Sequence, residues 1–172
     1  MSTSKEIQFS PEELIISKTD TNGNITYANR LFMRVCNYSE DELLGKPHNL
    51  IRHSEMPKGV FHGMWESLRA GKEFFGFIKN STSDGNHYWV FANVTPDFEN
   101  GKIVGYYSVR RYAPRSALTA VQDIYSHMIQ LERTGDRATA ARNSWQWLSD
   151  YCAKQPGQAY DAFILTHYQN NK

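Results

Sequence analysis

The chain has 172 residues, enough for one ordinary domain with an appendage and too few for two large ones. Apolar residues make up 40% and charged residues 22%, so it can bury a core and is not disordered as a whole. Nineteen basic against eighteen acidic side chains leave a net charge of +1, which argues against nucleic-acid binding through a broad phosphate-neutralising surface.

Leu14 to Thr19 reads as the first strand. Asp20-Thr-Asn-Gly-Asn24 is a turn whose Asn-Gly pair suits positive φ, and Ile25-Thr-Tyr27 resumes the strand pattern, which makes a hairpin. From Asn29 to Cys36 the apolar residues Leu31, Phe32 and Val35 have short helical spacing. Ser39-Glu-Asp-Glu42 has the form of a capping box and opens one turn through Leu44, with Gly45-Lys-Pro47 as its stop. His48 to His53 is irregular. Pro57 then opens an amphipathic helix carrying Val60, Phe61, Met64, Trp65 and Leu68, which ends at Ala70-Gly71.

Three strands are expected next, at Phe74–Asn80, His87–Thr95 and Ile103–Tyr112, joined by turns at Ser83-Asp-Gly-Asn86 and Glu99-Asn-Gly-Lys102. Beyond Pro114 the spacing turns helical: Ala117 to Arg133, Arg137 to Lys154, and Gln158 to Tyr168, separated by Thr134-Gly-Asp136 and Pro156-Gly157. The fold class is therefore α+β, an antiparallel five-stranded sheet with short helices on one face, plus an all-helical C-terminal extension. The boundaries are 12–113 for the sheet domain and 114–172 for the extension. The apolar stripes of the extension read as core or interface.

Asp20 through Asn29, with its hairpin leading into Asn and a short helix, resembles the opening of a PAS domain. Tyr38-Ser-Glu-Asp-Glu-Leu-Leu-Gly-Lys46, Asp84-Gly-Asn-His-Tyr-Trp89 and Gly101-Lys-Ile-Val-Gly-Tyr106 resemble later segments of the same family. Gly45 to His53, Met56-Pro-Lys58, and Lys79-Asn80 with His87-Tyr-Trp-Val90 are similar to the flavin-binding PAS domains of bacterial aerotaxis receptors. That resemblance covers about residues 12 to 112. It implies non-covalently held FAD whose redox state is the signal. It also implies a signalling protein as partner, such as a chemotaxis receptor or another regulator, and a homodimer is expected. Membrane, HAMP and coiled-coil segments are missing, so a free-standing sensor or a fragment of something longer is expected.

Candidate cofactor-binding residues follow from the resemblance and from their chemistry. Arg52 and His53 suit the pyrophosphate of a dinucleotide, the alternative being a surface Arg and a His packed on the following helix. Glu55 stands where the pattern has Asp and keeps the acceptor. His48 is a candidate of the same kind, either at the adenine or as a cap, and Asn29 is carried in the same set. Asn80 shares a sheet face with Gly76 and Ile78 and offers an amide to the polar edge of a flavin ring; otherwise it starts a turn before Ser81. Trp65 either packs on the ring or fills core. Arg110 either sits near the ring or is a salt-bridged surface residue. Tyr88, Val90 and Ala92 alternate with Trp89, Phe91 and Asn93, so Trp89 and Phe91 point outward, under the C-terminal helices or a partner.

Other chemistries find less support. Cys36 and Cys152 stand far apart with no C-x-x-C pair, which argues against zinc or a disulfide framework. Blue-light PAS sensors use a thiol beside the ring, but the corresponding Asn49-Leu-Ile-Arg-His53 has none. The nucleotide-binding and zinc-protease motifs are absent, and no enzyme is expected. A haem-binding oxygen sensor with His53 or His62 as ligand is one alternative, a cofactor-free interaction module another, and a small flavin reductase a third. Without an apolar leader or a long apolar run, a cytoplasmic location and no direct membrane insertion are expected.

Overall fold

A computed structural model describes residues 4–155 and 159–172. The break expected at Pro156-Gly157 and the helix start at Gln158 lie outside the described residues. Five antiparallel strands form one sheet: β1 Ile15–Thr19, β2 Ile25–Ala28, β3 Phe74–Ser81, β4 His87–Glu99 and β5 Lys102–Tyr112, in the order β2-β1-β5-β4-β3. The chain enters at β1, one strand in from an edge, leaves along the β2 edge, and returns at the opposite edge, β3, through α1 Arg30–Cys36, α2 Glu40–Leu43, a 3₁₀ turn His48–Ile51 and α3 Lys58–Arg69. The α+β architecture with its helical extension is as the sequence implies.

Local chemistry sets most boundaries. Asn29 caps α1: its Oδ1 accepts from the N–H of Phe32 at 3.0 Å and of Ile16 at 3.1 Å. The Ser39–Glu42 capping box forms with both reciprocal bonds. Asn100 and Gly101 both adopt positive φ, 50° and 76°, which gives the β4–β5 hairpin a turn matched to strand twist.

β4 runs four residues beyond the expected Thr95, past Pro96. Proline is tolerated because β3 pairs with β4 only as far as Val94, leaving β5 as the sole strand neighbour from Thr95 onward.

The extension comprises α4 Arg115–Thr134, α5 Ala140–Ala153 and α6 Tyr160–Asn170, and it packs on the sheet of its own chain. Trp89 and Phe91 point outward as their alternation implies, Trp89 stacked on Tyr125 at 6.3 Å and Phe91 on Tyr168 at 4.0 Å. β3 is an edge strand, and three successive outward carbonyls are taken. Phe75 accepts from the Tyr160 hydroxyl at 2.8 Å, Phe77 from the Tyr125 hydroxyl at 2.6 Å, and Lys79 from the backbone N–H of His53 at 3.3 Å. An edge so occupied is closed to strand pairing with another chain.

Candidate functional site

The inner face of the sheet does not close on its helices. Between them lies a cavity of about 470 Å³, a size common for small-molecule sites. Its sheet wall is a strict period-two set: Ser17 and Thr19 from β1, Ile78 and Asn80 from β3, Ala92 and Val94 from β4, and Tyr106, Ser108 and Arg110 from β5. The opposite wall is one stripe of α3, made of Phe61, Met64, Trp65, Leu68 and Arg69. Small side chains at Ala92 and Val94 leave a flat floor beneath that stripe.

Arg110 is 2% exposed, and its Nε and Nη1 have no hydrogen-bond partner among the described residues. Only Nη2 is engaged, donating to Ser17 Oγ at 2.6 Å. The guanidinium lies 4.2 Å from the Phe32 ring centroid, and burial pushes its pKa down to about 10, so it stays charged. Because arginine can only donate, Ser17 spends its own proton on His48 Nε2, 3.0 Å away. His48 is thereby the neutral Nδ1–H tautomer. Its ring stacks on Phe32, and burial with the Arg110 charge pushes its pKa down to about 3.

Arg52 and Arg69 are the exposed arginines of the cavity rim. The Arg52 guanidinium lies 3.7 Å from the Phe61 ring centroid and that of Arg69 lies 5.9 Å from Trp65. The lining thus holds three arginines and no carboxylate, and none of the three forms an ion pair among the described residues. An unpaired buried guanidinium costs several kcal/mol unless something supplies acceptors. The chemistry of this donor set calls for an anionic, flat, partly apolar ligand with acceptors along one edge.

Of the residues singled out in the sequence, His48, Arg52, Trp65, Asn80 and Arg110 converge on the cavity. Asn80 lies within β3, not in a turn, and is 4% exposed. Arg110 is buried, not a salt-bridged surface residue. Trp65 packs edge-on against Tyr106 at 5.2 Å while lining the cavity, so it is both core and wall.

Asn29, His53 and Glu55 are not among the lining residues. The Asn29 amide is consumed in capping α1 and in donating to Leu14 O at 2.9 Å. His53 and Glu55 sit beyond β3, where Glu55 pairs with Lys79, a residue on the outer face. The reason is the strand's alternation. Asn80 faces inward, so Lys79 faces outward, and the segment after Arg52 crosses the edge to meet it.

Sequence reading missed Ser17, Ser108 and Arg69. The first two carried a usable signal, polar residues at inward register positions, and Arg69 lies one helical turn past Trp65. Cys36 is fully buried, directs its thiol to Met33 O and does not line the cavity. Of the histidines only His48 lines it; His53 and His62 do not.

A profile of the PAS fold matches residues 25–110. The aerotaxis receptor of Escherichia coli (strain K12) is 37% identical over 146 residues, 83% of this chain and 29% of the receptor. The nitrogen fixation regulatory protein of Klebsiella pneumoniae is 32% identical over 127 residues, 73% of this chain and 26% of that protein. The chain therefore spans less than a third of the length of either relative. The light-state structure of the blue-light photoreceptor Aureochrome1 LOV superposes with a TM-score of 0.57 at 20% identity, over 67% of this chain and 91% of that one, a likeness of fold.

Proposed function

The chain belongs to the PAS fold family, and on that premise we propose that its cavity holds FAD and that the module reports the redox state of the flavin to a partner protein. The observation that carries this reading is Arg110, a buried cation whose two free donor atoms are left for a ligand. A bound flavin supplies a redox-active ring whose polar edge gains electron density and charge on reduction.

Each remaining part of the reading belongs to this chain's own residues. Arg110 offers the N–H groups of two nitrogens, Nε and Nη1, to an electron-rich ring edge, and the Asn80 amide offers both a donor and an acceptor. Ile78, Ala92 and Val94 give the flat apolar floor, with Trp65 and Met64 opposite. Arg52 and Arg69 suit the diphosphate of a dinucleotide, which favours FAD over FMN. Keeping Arg110 charged and His48 neutral lets the pocket stabilise a more electron-rich ring without taking up a proton of its own. The sequence resemblance to aerotaxis receptors supports a chemotaxis receptor or another signalling regulator as the partner.

A haem reading is weaker, because His53 and His62 stand outside the lining and His48 Nε2 already bonds Ser17. The deciding measurement is an absorption spectrum of the purified protein, followed by chromatography of what heat releases. Bands near about 370 and 450 nm with FAD released are expected. A Soret band would transfer the site to haem. A colourless protein that takes up no added FAD would leave an interaction module. Asn80→Ala is expected to weaken FAD retention or to uncouple the redox response; unchanged flavin content and response would remove Asn80 from the site.

A further inference from the structure

One helix belongs to both halves of the molecule. α3 turns Phe61, Met64, Trp65, Leu68 and Arg69 toward the cavity, and its buried Gly59 and Gly63 toward α5. Glycine is unfavourable inside a helix, and two within five residues need a packing reason. Here the reason is close approach. A methyl group at Gly59 would collide with Ser144 and the backbone of Trp145, and one at Gly63 would enter the Trp145 ring.

The start of α3 is equally unusual. Pro57 gives it no side-chain cap, so its first amide donors would be orphaned. They are taken instead by Glu132, from the last turn of α4 and more than seventy positions away. The Glu132 carboxylate accepts from Lys58 N at 3.0 Å, from Gly59 N at 2.8 Å, and from Ser144 Oγ of α5 at 2.6 Å. One carboxylate thus ties α3, α4 and α5 together, with its negative charge at the positive end of the α3 dipole.

We propose that this joint is the output connection of the cavity: Glu132, Ser144 and Trp145 grip Gly59 and Gly63, so that a change in what α3 meets in the cavity is passed to the α4–α5 hairpin. Glu132 acts here as a positioning residue. The connection rests on the reading of the cavity as a ligand site and goes beyond it by naming the route. That route is the cavity-wall helix. The sheet is the stiffer path, since the outer face of β3 and β4 is already covered by Tyr125 and Tyr168 and the β3 edge is tied by the hydroxyls of Tyr125 and Tyr160. Linkage then requires reciprocity: whatever binds and shifts the α4–α5 hairpin alters ligand affinity by the same factor.

The test is amide hydrogen exchange on the full chain, with and without saturating FAD, in wild type, Glu132→Gln and Ser144→Ala, the last being the milder change should the first fail to fold. FAD is expected to slow exchange in both α3 and α5 of the wild type. Glu132→Gln is expected to raise exchange about tenfold in α3, in the range of a lost helix cap, to raise it in α5 as well, and to cancel the effect of FAD on α5 while protection of β4 and β5 persists. FAD that protects α3 but leaves α4 and α5 unchanged would overturn the connection, as would a Glu132→Gln protein whose α5 still responds. If the wild type binds no FAD, the cavity reading fails on its own, and the joint is judged without ligand. Deprotection by Glu132→Gln along Phe61–Arg69 together with α5 would support it, and loss confined to Lys58–Val60 would overturn it.

Discussion

The two faces of the sheet are built from the same strands and finished in opposite ways. On the outer face, over β3 and β4, every large aromatic meets another: Phe91 lies flat on Tyr168, Trp89 stacks on Tyr125, and Phe77 packs on His167 and Tyr168. The Tyr125 phenol that this burial brings in is spent on a carbonyl of the edge strand, and Tyr160 takes another at the same edge. On the inner face, the same strands leave about 470 Å³ open and hold a guanidinium with two donors unspent. A chain able to satisfy one face so completely has not failed on the other by accident of composition. Complete satisfaction marks the face that carries stability, and the unsatisfied cation marks the face that carries function.

The sharpest way to break that contrast is to remove the cover. Ending the chain after Pro114 would bare Phe77, Trp89 and Phe91 together with the β3 edge, and the product is expected to be insoluble or unfolded, by far the largest effect. A soluble, cooperatively melting fragment 4–114 would show that the outer face needs no cover. Within the intact chain, Tyr168→Ala is expected to cost about 3 kcal/mol in urea denaturation, since it deletes a buried aromatic.

The inner face should behave in the opposite sense. Arg110→Met removes an uncompensated buried charge, so the ligand-free protein is expected to gain about 1–3 kcal/mol while losing flavin retention. A loss of stability in the ligand-free variant would mean that Arg110 is a structural cation. Proton linkage tests the same corner. His48 is held near 3 in the fold and has an ordinary value of 6.5 when unfolded. Between those values the unfolded chain binds more protons, so stability falls as pH drops through that window, by at most about 1.4 kcal/mol per pH unit from this group. Above about pH 6.5 it contributes no pH dependence. His48→Gln is expected to flatten the acid limb of a stability-against-pH curve. Smallest of all, Tyr125→Phe leaves the Phe77 carbonyl unpaired and is expected to cost about 1 kcal/mol, with flavin content unchanged.

What the sequence determined by itself was whatever rests on neighbours along the chain. The Ser39–Glu42 box, the Asn100-Gly101 turn and the inward-outward alternation of β4 are governed by interactions a few residues long, so residue types at fixed spacing suffice to place them. The alternation also placed Asn80 on the cavity side and Trp89 under the tail. Tertiary structure alone decided the rest. That Arg110 is buried without an acid depends on Phe32, Ser17 and His48 arriving from three other segments. His53 and Glu55 go to the far side of β3 because the chain crosses the strand's edge just after Arg52, a path no local pattern records. Glu132 reads in sequence as one more surface charge near a helix end. It caps α3 only because α4 and α5 fold back across the sheet, and a contact that spans more than seventy residues has no spacing by which to announce itself.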